Sequence, residues 1–249
     1  METGGSRVGK TVPKPVREIT HRLTRLWWQD YFLSLLLVGL VVTIFLVYPL
    51  GQIAPVRNVV ANGIFSLIVI SGVLAVARGP LLTLSMLAVT VANLAVRWLN
   101  AHSPEYGLAV WDEGLSLLAL LVLTVVVLIQ VYRPGRITPA RIMGAVAAYL
   151  LLGIMWGYIY HLVLRLDPGA FQMALVPQSE AEWKASLLYF SFVTLTTVGY
   201  GDILPVNALA RSLANLESLI GMLFPAILIA RLVSLEIIHR PKTSHQDET

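Results

Sequence analysis

Apolar residues in this chain come in long blocks separated by short polar breaks. Six blocks, at about 31–50, 59–76, 81–99, 108–132, 137–166 and 207–238, each come near or exceed the roughly 20 residues a helix needs to cross the hydrocarbon core of a bilayer. The second and third are parted only by Ala77-Arg78-Gly79-Pro80, a tight turn. The fourth opens on Trp111-Asp112-Glu113-Gly114, which predicts an interfacial patch and a helix core nearer Leu115–Gln130. The linker Arg133–Pro139 is rich in breakers. Thr138 is predicted to cap the fifth helix and Pro139 to fill its first turn. That helix is expected to run to Leu166, where Asp167-Pro168-Gly169 stops it and an extramembrane loop follows over 167–182. Ahead of the first block, Val16, Ile19, Leu23 and Leu26 recur at helical spacing between Arg17, Arg22 and Arg25. This predicts a short amphipathic helix over Pro15–Trp28 at the membrane surface, with Trp27 and Trp28 at headgroup level.

One apolar run does not fit the spanning length. Trp183 to Leu195 is too short, and Ser179-Glu180-Ala181-Glu182 ahead of it has the form of a capping box. The run ends in Thr196-Thr197-Val198-Gly199-Tyr200-Gly201-Asp202, which suits neither helix nor strand. Irregular backbone at membrane depth is tolerated only where it is buried in protein or lines water. The expected fold is therefore an all-α membrane protein of six transmembrane helices plus a re-entrant helix and loop. It divides into a tail with an interfacial helix (1–28), a four-helix transmembrane unit (29–132), a second unit carrying the re-entrant loop (133–238) and a short tail (239–249).

Composition agrees. Of 249 residues, 57% are hydrophobic and only 13% charged, where soluble domains run near a quarter charged. With no cysteine, disulfides and thiolate metal sites are excluded. No cleavable signal peptide is expected, because the first apolar block is about a full span long and lacks a small-residue cleavage site. Charge placement orients the chain. Six Lys/Arg precede the first block, and alternating spans put Arg78, Arg133, Arg136, Arg141, Arg231, Arg240 and Lys242 on that same side. Glu105, Asp112, Glu113, Asp167, Glu180 and Glu182 fall on the other side, with few bases. The positive-inside bias then predicts cytoplasmic tails and an outward-facing loop at 196–202.

Gly199 and Gly201 take positive φ without steric cost. Placed between ordinary L-residues, such turns let successive carbonyls face one side and replace the water ligands of a desolvated cation. The string Thr196–Asp202 resembles the selectivity filter of potassium channels, the TVGYG loop whose carbonyls substitute for the hydration shell of K⁺. Residues 137–235 resemble the bacterial members' pore module, with Tyr189–Leu195 similar to its pore helix and Ala210–Leu213 and Ile229–Val233 to its inner helix. The resemblance implies K⁺ sites made by the carbonyls of Thr197, Val198, Gly199 and Tyr200, with Gly201 completing the filter and the Thr197 hydroxyl closing the innermost site. It implies a homotetramer, since one copy per chain cannot surround an ion. It also implies that Thr196 and Asp202 support the filter, Asp202 tied to the pore helix through a donor such as Tyr189 or Trp183. Val193 stands where some relatives carry a carboxylate, so that carboxyl tie is absent here.

Gly221 follows Asp202 by 19 residues and matches the relatives' gating glycine, although it could equally permit close helix packing. Pro225 removes a helix hydrogen bond one turn on. On the hinge reading Met222, Ile229 and Val233 share the face toward the cavity and gate. Glu217 is the one acid inside the last span and is expected to bond toward the pore helix or a neighbouring subunit. Asn62, Asn93 and His161 read as interhelical hydrogen-bonding residues, and His161, Arg165 and Asp167 as a local polar cluster without metal spacing. The fourth helix has no ladder of Arg or Lys, so steep voltage gating is not expected. The tails are too short to form a folded ligand-sensing domain. The reading is thus a passive K⁺ channel of a bacterial inner membrane, its partners the bilayer and its own copies, with no nucleic acid, small-molecule ligand or enzymatic constellation indicated. A weakly selective cation channel and a non-conducting subunit with a pore-like module are the alternatives.

Overall fold

The computed structural model describes residues 33–47, 80–102, 106–132 and 138–239. The surface helix expected over Pro15–Trp28, the second apolar block, Asn62 and both chain ends lie outside the described residues.

Helix α1 covers Leu33–Leu46 and widens into a π-helix at Thr43–Val47. Helices α2 (Pro80–His102) and α3 (Tyr106–Val131) follow, then α4 (Pro139–Leu166). Strand β1 (Phe171–Met173), helix α5 (Glu180–Leu195), strand β2 (Ile203–Pro205) and helix α6 (Ala208–His239) complete the described order. Three stretches among the described residues are long and apolar enough to cross a membrane: Val110–Val131, Pro139–Leu166 and Ala208–Ser234. The protein is a predominantly helical membrane protein.

Three local expectations change. Helix α3 starts ahead of the Trp111–Gly114 patch, at Tyr106, and Asp112 and Glu113 are buried within the bundle while Trp111 faces outward. Thr138 occupies the position before α4, but its side chain makes no capping bond. Its own carbonyl already takes the Arg141 N–H at 2.9 Å, and Pro139 at the first position has no N–H to offer. The 167–182 loop is not wholly irregular, because β1 pairs antiparallel with β2 and Phe171 faces Pro205. Three-residue strands are too short to leave a readable alternation. Their effect is to tie the segment after α4 to the chain leaving the 196–202 loop, with Phe171 and Ile203 turned into the core.

The capping box ahead of α5 forms. Ser179 Oγ accepts the Glu182 N–H at 3.3 Å, and the Glu182 carboxylate reaches back to the Gln178 N–H at 2.8 Å. Two hydrophobic clusters organise the bundle. In one, Leu33, Leu36 and Leu40 of α1 meet Leu120, Leu123 and Val127 of α3 and the small face of α4 at Ala145, Ala148 and Leu151. In the other, Trp156, Tyr160 and Val163 of α4 pack with Leu187 and Phe190 of α5 and Ala210 and Ala214 of α6. Only 11% of the spanning window of α6 is buried, against 61% for α4, so this chain alone leaves the apolar surface of α6 uncovered.

Candidate functional site

The loop after α5 has a repeating handedness. Thr197, Gly199 and Gly201 all have positive φ, at 59°, 60° and 78°. Alternate residues are thus left-handed, and in such a chain successive carbonyls can share one side. The sequence signalled the two glycines but not Thr197, a β-branched residue for which this conformation carries strain. That strain is held by α5: the N–H of Thr197 donates to Thr194 O at 2.9 Å, and those of Val198 and Gly199 to Val193 O at 2.9 and 3.4 Å. Thr196 caps the helix, its hydroxyl donating to Phe192 O at 2.6 Å. The amide protons therefore turn toward α5, and no backbone hydrogen bond among the described residues ends on the carbonyls of 197–201. Added Cβ atoms at Gly199 and Gly201 would meet nothing within 4 Å, so backbone conformation, not crowding, calls for glycine there. Val198 and Tyr200 are exposed on the single chain, 52% and 70%.

Around the loop, Tyr189 and Tyr200 stack with centroids 6.5 Å apart and planes 2° from parallel. Tyr189 also makes a side-chain hydrogen bond with Asp202. Asp202 also accepts the Ile203 N–H at 3.1 Å. Trp183 lies in the first turn of α5, and no hydrogen bond joins it to Asp202 among the described residues. On α6, Met222, Ile229 and Val233 are 63%, 60% and 53% exposed on the single chain. Pro225 lies inside the helix, which continues through it. Gly221 faces α5 so closely that an added Cβ would sit 1.8 Å from Leu195 O. That contact gives Gly221 a packing role whatever its mobility.

Two buried polar groupings lie beside this framework. The first joins α4, α5 and α6. Glu217, fully buried, has Oε2 2.5 Å from the Tyr160 hydroxyl and Oε1 2.6 Å from Ser191 Oγ. Ser191 Oγ is also 2.7 Å from Gly153 O. Glu217 therefore bonds within its own chain, toward both the outer and the re-entrant helix. The approach of α4 to α5 depends on Gly153 and Gly157, where added Cβ atoms would meet Phe192 at 2.5 Å and Leu188 at 3.1 Å. The spacing Gly-x-x-x-Gly at 153–157 is the sequence signal for such a close approach.

The second grouping surrounds Glu113 at the opposite end of α3 from Val131. His161 Nδ1 contacts Glu113 Oε1, Arg165 Nε lies 2.8 Å from Oε2, and Lys184 Nζ 3.6 Å from Oε1. Arg165 and Lys184 also reach Glu180, at 2.6 and 3.0 Å. Burial of Glu180 is outweighed by Lys184 and Arg165, which hold its carboxyl below the ordinary carboxylate range. Next to it, Arg97 of α2 pairs with Asp112 at 3.4 Å, and Asn93 donates to Ser116 at 2.8 Å, the expected interhelical bond. Three of the acids assigned to this side by charge bias, Asp112, Glu113 and Glu180, are thus paired with bases from α2, α4 and α5. His161 and Arg165 do cluster, but with Glu113; Asp167 binds Asn207 Nδ2 at 2.7 Å and the Gly169 N–H instead. Donor atoms of Glu113, His161 and Glu180 lie within 4.8 Å of one another, a spacing the sequence did not display. Arg165 and Lys184 already supply on those carboxylates the positive charge a metal would bring. At the far end, Arg231 of α6 donates to Tyr132 O and lies 4.8 Å from that ring's centroid, a link between residues 99 positions apart that no local pattern signals.

Comparison with known proteins places this framework. A family described as "Ion channel" matches residues 148–236, from α4 through α6. Protein LctB of Bacillus caldotenax is 30% identical over 109 residues, 42% of this chain and 79% of that protein. Protein LctB of Geobacillus stearothermophilus is 41% identical over 61 residues, 23% of this chain and 45% of that one. Two pore potassium channel c of Oryza sativa subsp. japonica is 36% identical over 86 residues, 34% of this chain but only 18% of its own length. No solved structure matches. The matched region holds the re-entrant helix, the left-handed loop and the flanking long helices, and the chain belongs to the ion channel family.

Proposed function

We propose that this chain is one subunit of a homotetrameric, K⁺-selective channel in a bacterial inner membrane, with Thr196–Asp202 lining its axis and both tails cytoplasmic. The observation that carries the reading is the alternation of positive φ at Thr197, Gly199 and Gly201 with the amide protons bound to α5. That arrangement leaves the carbonyls of Thr197, Val198, Gly199 and Tyr200 free to replace water around a bare cation. Exposure of Tyr200, Met222, Ile229 and Val233 on the single chain fits surfaces that further copies or a water-filled cavity would cover. The potassium named for the rice relative supports the same ion here. The stretch Tyr106–Val131 holds no Lys or Arg, so opening does not depend steeply on voltage.

The test is a flux assay on liposomes holding the purified protein, with K⁺ or Na⁺ gradients and external Ba²⁺ as blocker. K⁺ flux that Ba²⁺ blocks and Gly199→Ala abolishes is expected. Equal Na⁺ flux would leave a weakly selective pore on the same scaffold, and no flux at all would leave a non-conducting subunit. In planar bilayers the conductance should change little with voltage.

A further inference from the structure

The helix bundle holds a carboxyl that the proposed conduction path does not use. Glu217 is the last polar group expected at the middle of an apolar helix, and nothing of it is exposed. Its surroundings allow a count of protons. Gly153 O, a carbonyl, can only accept, and Ser191 has one hydroxyl proton. Ser191 Oγ is at hydrogen-bonding distance from both Gly153 O, 2.7 Å, and Glu217 Oε1, 2.6 Å. Two bonds need two protons. If Ser191 donates to Gly153, the second proton must reside on Glu217 Oε1. The Tyr160 hydroxyl satisfies Oε2 with its own proton at 2.5 Å.

We propose that Glu217 is held as a neutral carboxylic acid, its Oε1–H donating to Ser191 and its Oε2 accepting from Tyr160, and that this bridge is the positioning device that seats α5 and the 196–202 loop between α4 and α6. The groups that face it from each helix are hydroxyls: Tyr160 from α4 and Ser191 from α5, with the Tyr149 hydroxyl committed to Leu195 O at 3.2 Å. Among the described residues no Lys, Arg or His pairs with it, and Arg211 of its own helix is spent on Pro205 O at 3.1 Å. Because Glu217 is wholly covered within one chain, a neighbouring copy has no access to supply a cation. An ionised carboxylate buried against two hydroxyls would lack the compensation a buried charge requires, whereas the neutral acid has both oxygens satisfied.

The bridge acts at the right place. One turn beyond Ser191, Val193 O and Thr194 O hold the amide protons of Thr197, Val198 and Gly199. On that same turn Ser218 Oγ donates to Thr194 O at 3.3 Å, and Gly221 closes on Leu195 O. Glu217, Ser218 and Gly221 thus form one strip of α6 that fixes the end of α5 from which the loop hangs.

The consequence for conduction rests on the pore reading; the protonation state does not. The experiment compares wild type with Glu217→Gln, Glu217→Asp and Glu217→Ala as purified full-length oligomers at neutral pH. Infrared difference spectra between wild type and Glu217→Gln should show loss of a protonated-carboxyl C=O band. Gln reproduces one donor and one acceptor, so Glu217→Gln should keep K⁺ flux within about twofold of wild type, while Glu217→Ala should lose about tenfold or more, since buried hydroxyls are left unpaired. Glu217→Asp keeps the acid but cannot reach both partners, and should fall with Ala. A carboxylate band in place of the C=O band, or Gln as damaged as Ala, would overturn the proposal. Should Glu217→Ala fail to assemble, the infrared band and the Gln variant still decide. Absence of flux in wild type would overturn the pore reading and leave the infrared result standing.

Discussion

The contact of α3 with α4 and α5 and the contact of α6 with α4 and α5 each bury one glutamate, and the two are treated in opposite ways. Glu113 is met by His161, Arg165 and Lys184, so its charge is matched by charge. Glu217 is met by Tyr160 and Ser191, so its charge has no match and its hydrogen bonds do. The first arrangement suits a site near the membrane surface, where long basic side chains also reach water: Lys184 is 27% and Arg165 15% exposed. The second suits the interior, where a cation would need burying too. A buried acid therefore says little by itself; the partners decide whether it is an ionic clamp or a hydrogen-bonded spacer. The two also join different things. The Glu113 cluster ties α3 to α4 and α5, whereas the Glu217 bridge joins α4, α5 and α6.

Packing separates the two regions most sharply. Next to Glu113, an added Cβ at Gly114 would meet nothing within 4 Å; near Glu217, one at Gly221 would lie 1.8 Å from Leu195 O. Backbone cannot yield as a flexible side chain can. Gly221→Ala is expected to cost about 3 kcal/mol or more, at the upper end for overpacking, read as a lowered melting temperature. Gly114→Ala should leave the melt unchanged or raise it slightly, by a gain of up to about 1 kcal/mol in helix propensity. A tolerated Gly221→Ala would remove the argument that close approach fixes the end of α5.

The same chemical change at the two acids gives the next largest contrast. Glu113→Gln removes the one buried anion facing these side chains, leaving His161 without its carboxylate partner and Arg165 with only the half-exposed Glu180. Breaking a buried pair in this way costs about 3–5 kcal/mol. Glu217→Gln, which keeps a donor and an acceptor, should cost less than about 1 kcal/mol. Melting temperatures of the two variants side by side check this. Equal losses would dissolve the distinction between clamp and spacer.

What could be read from the sequence follows the same division. The loop at 196–202 was legible because its chemistry is carried by contiguous residues, and Gly199 and Gly201 announce their φ. The lengths of α4 and α6 were legible because apolar runs are local. The re-entrant helix was legible through the Ser179–Glu182 cap and a length too short to span. The Glu113 cluster was not, because its members come from α3, α4 and α5 and meet only after those helices pack; along the chain Asp112 and Glu113 stand between Trp111 and Gly114 and read as an interfacial patch. The role of Glu217 stayed open for a related reason. Its two partners look like ordinary hydroxyl residues until three helices are aligned. The positive φ of Thr197 was not legible because nothing in a threonine signals it; the α5 carbonyls impose it.

The smallest effect lies at the rim of the outer cluster and tests whether it is ionic throughout. Glu180 is held below the ordinary carboxylate range: burial opposes this, and Lys184 and Arg165 overcome it. A depressed folded value means the pair contributes stability above the ordinary value and loses it as pH falls through the lowered one. The side chain is 55% exposed, so solvent screening limits the contribution to about 0.5 kcal/mol. Wild type and Glu180→Gln should therefore differ slightly in melting temperature near neutral pH and converge as pH falls below the ordinary carboxylate range. The difference also should shrink in high salt, since a half-exposed pair is screened while the Glu113 pairs beneath it are not. A gap between the two proteins that persisted unchanged at low pH would mean Glu180 contributes through packing along the start of α5, and the ionic description would then stop at Glu113.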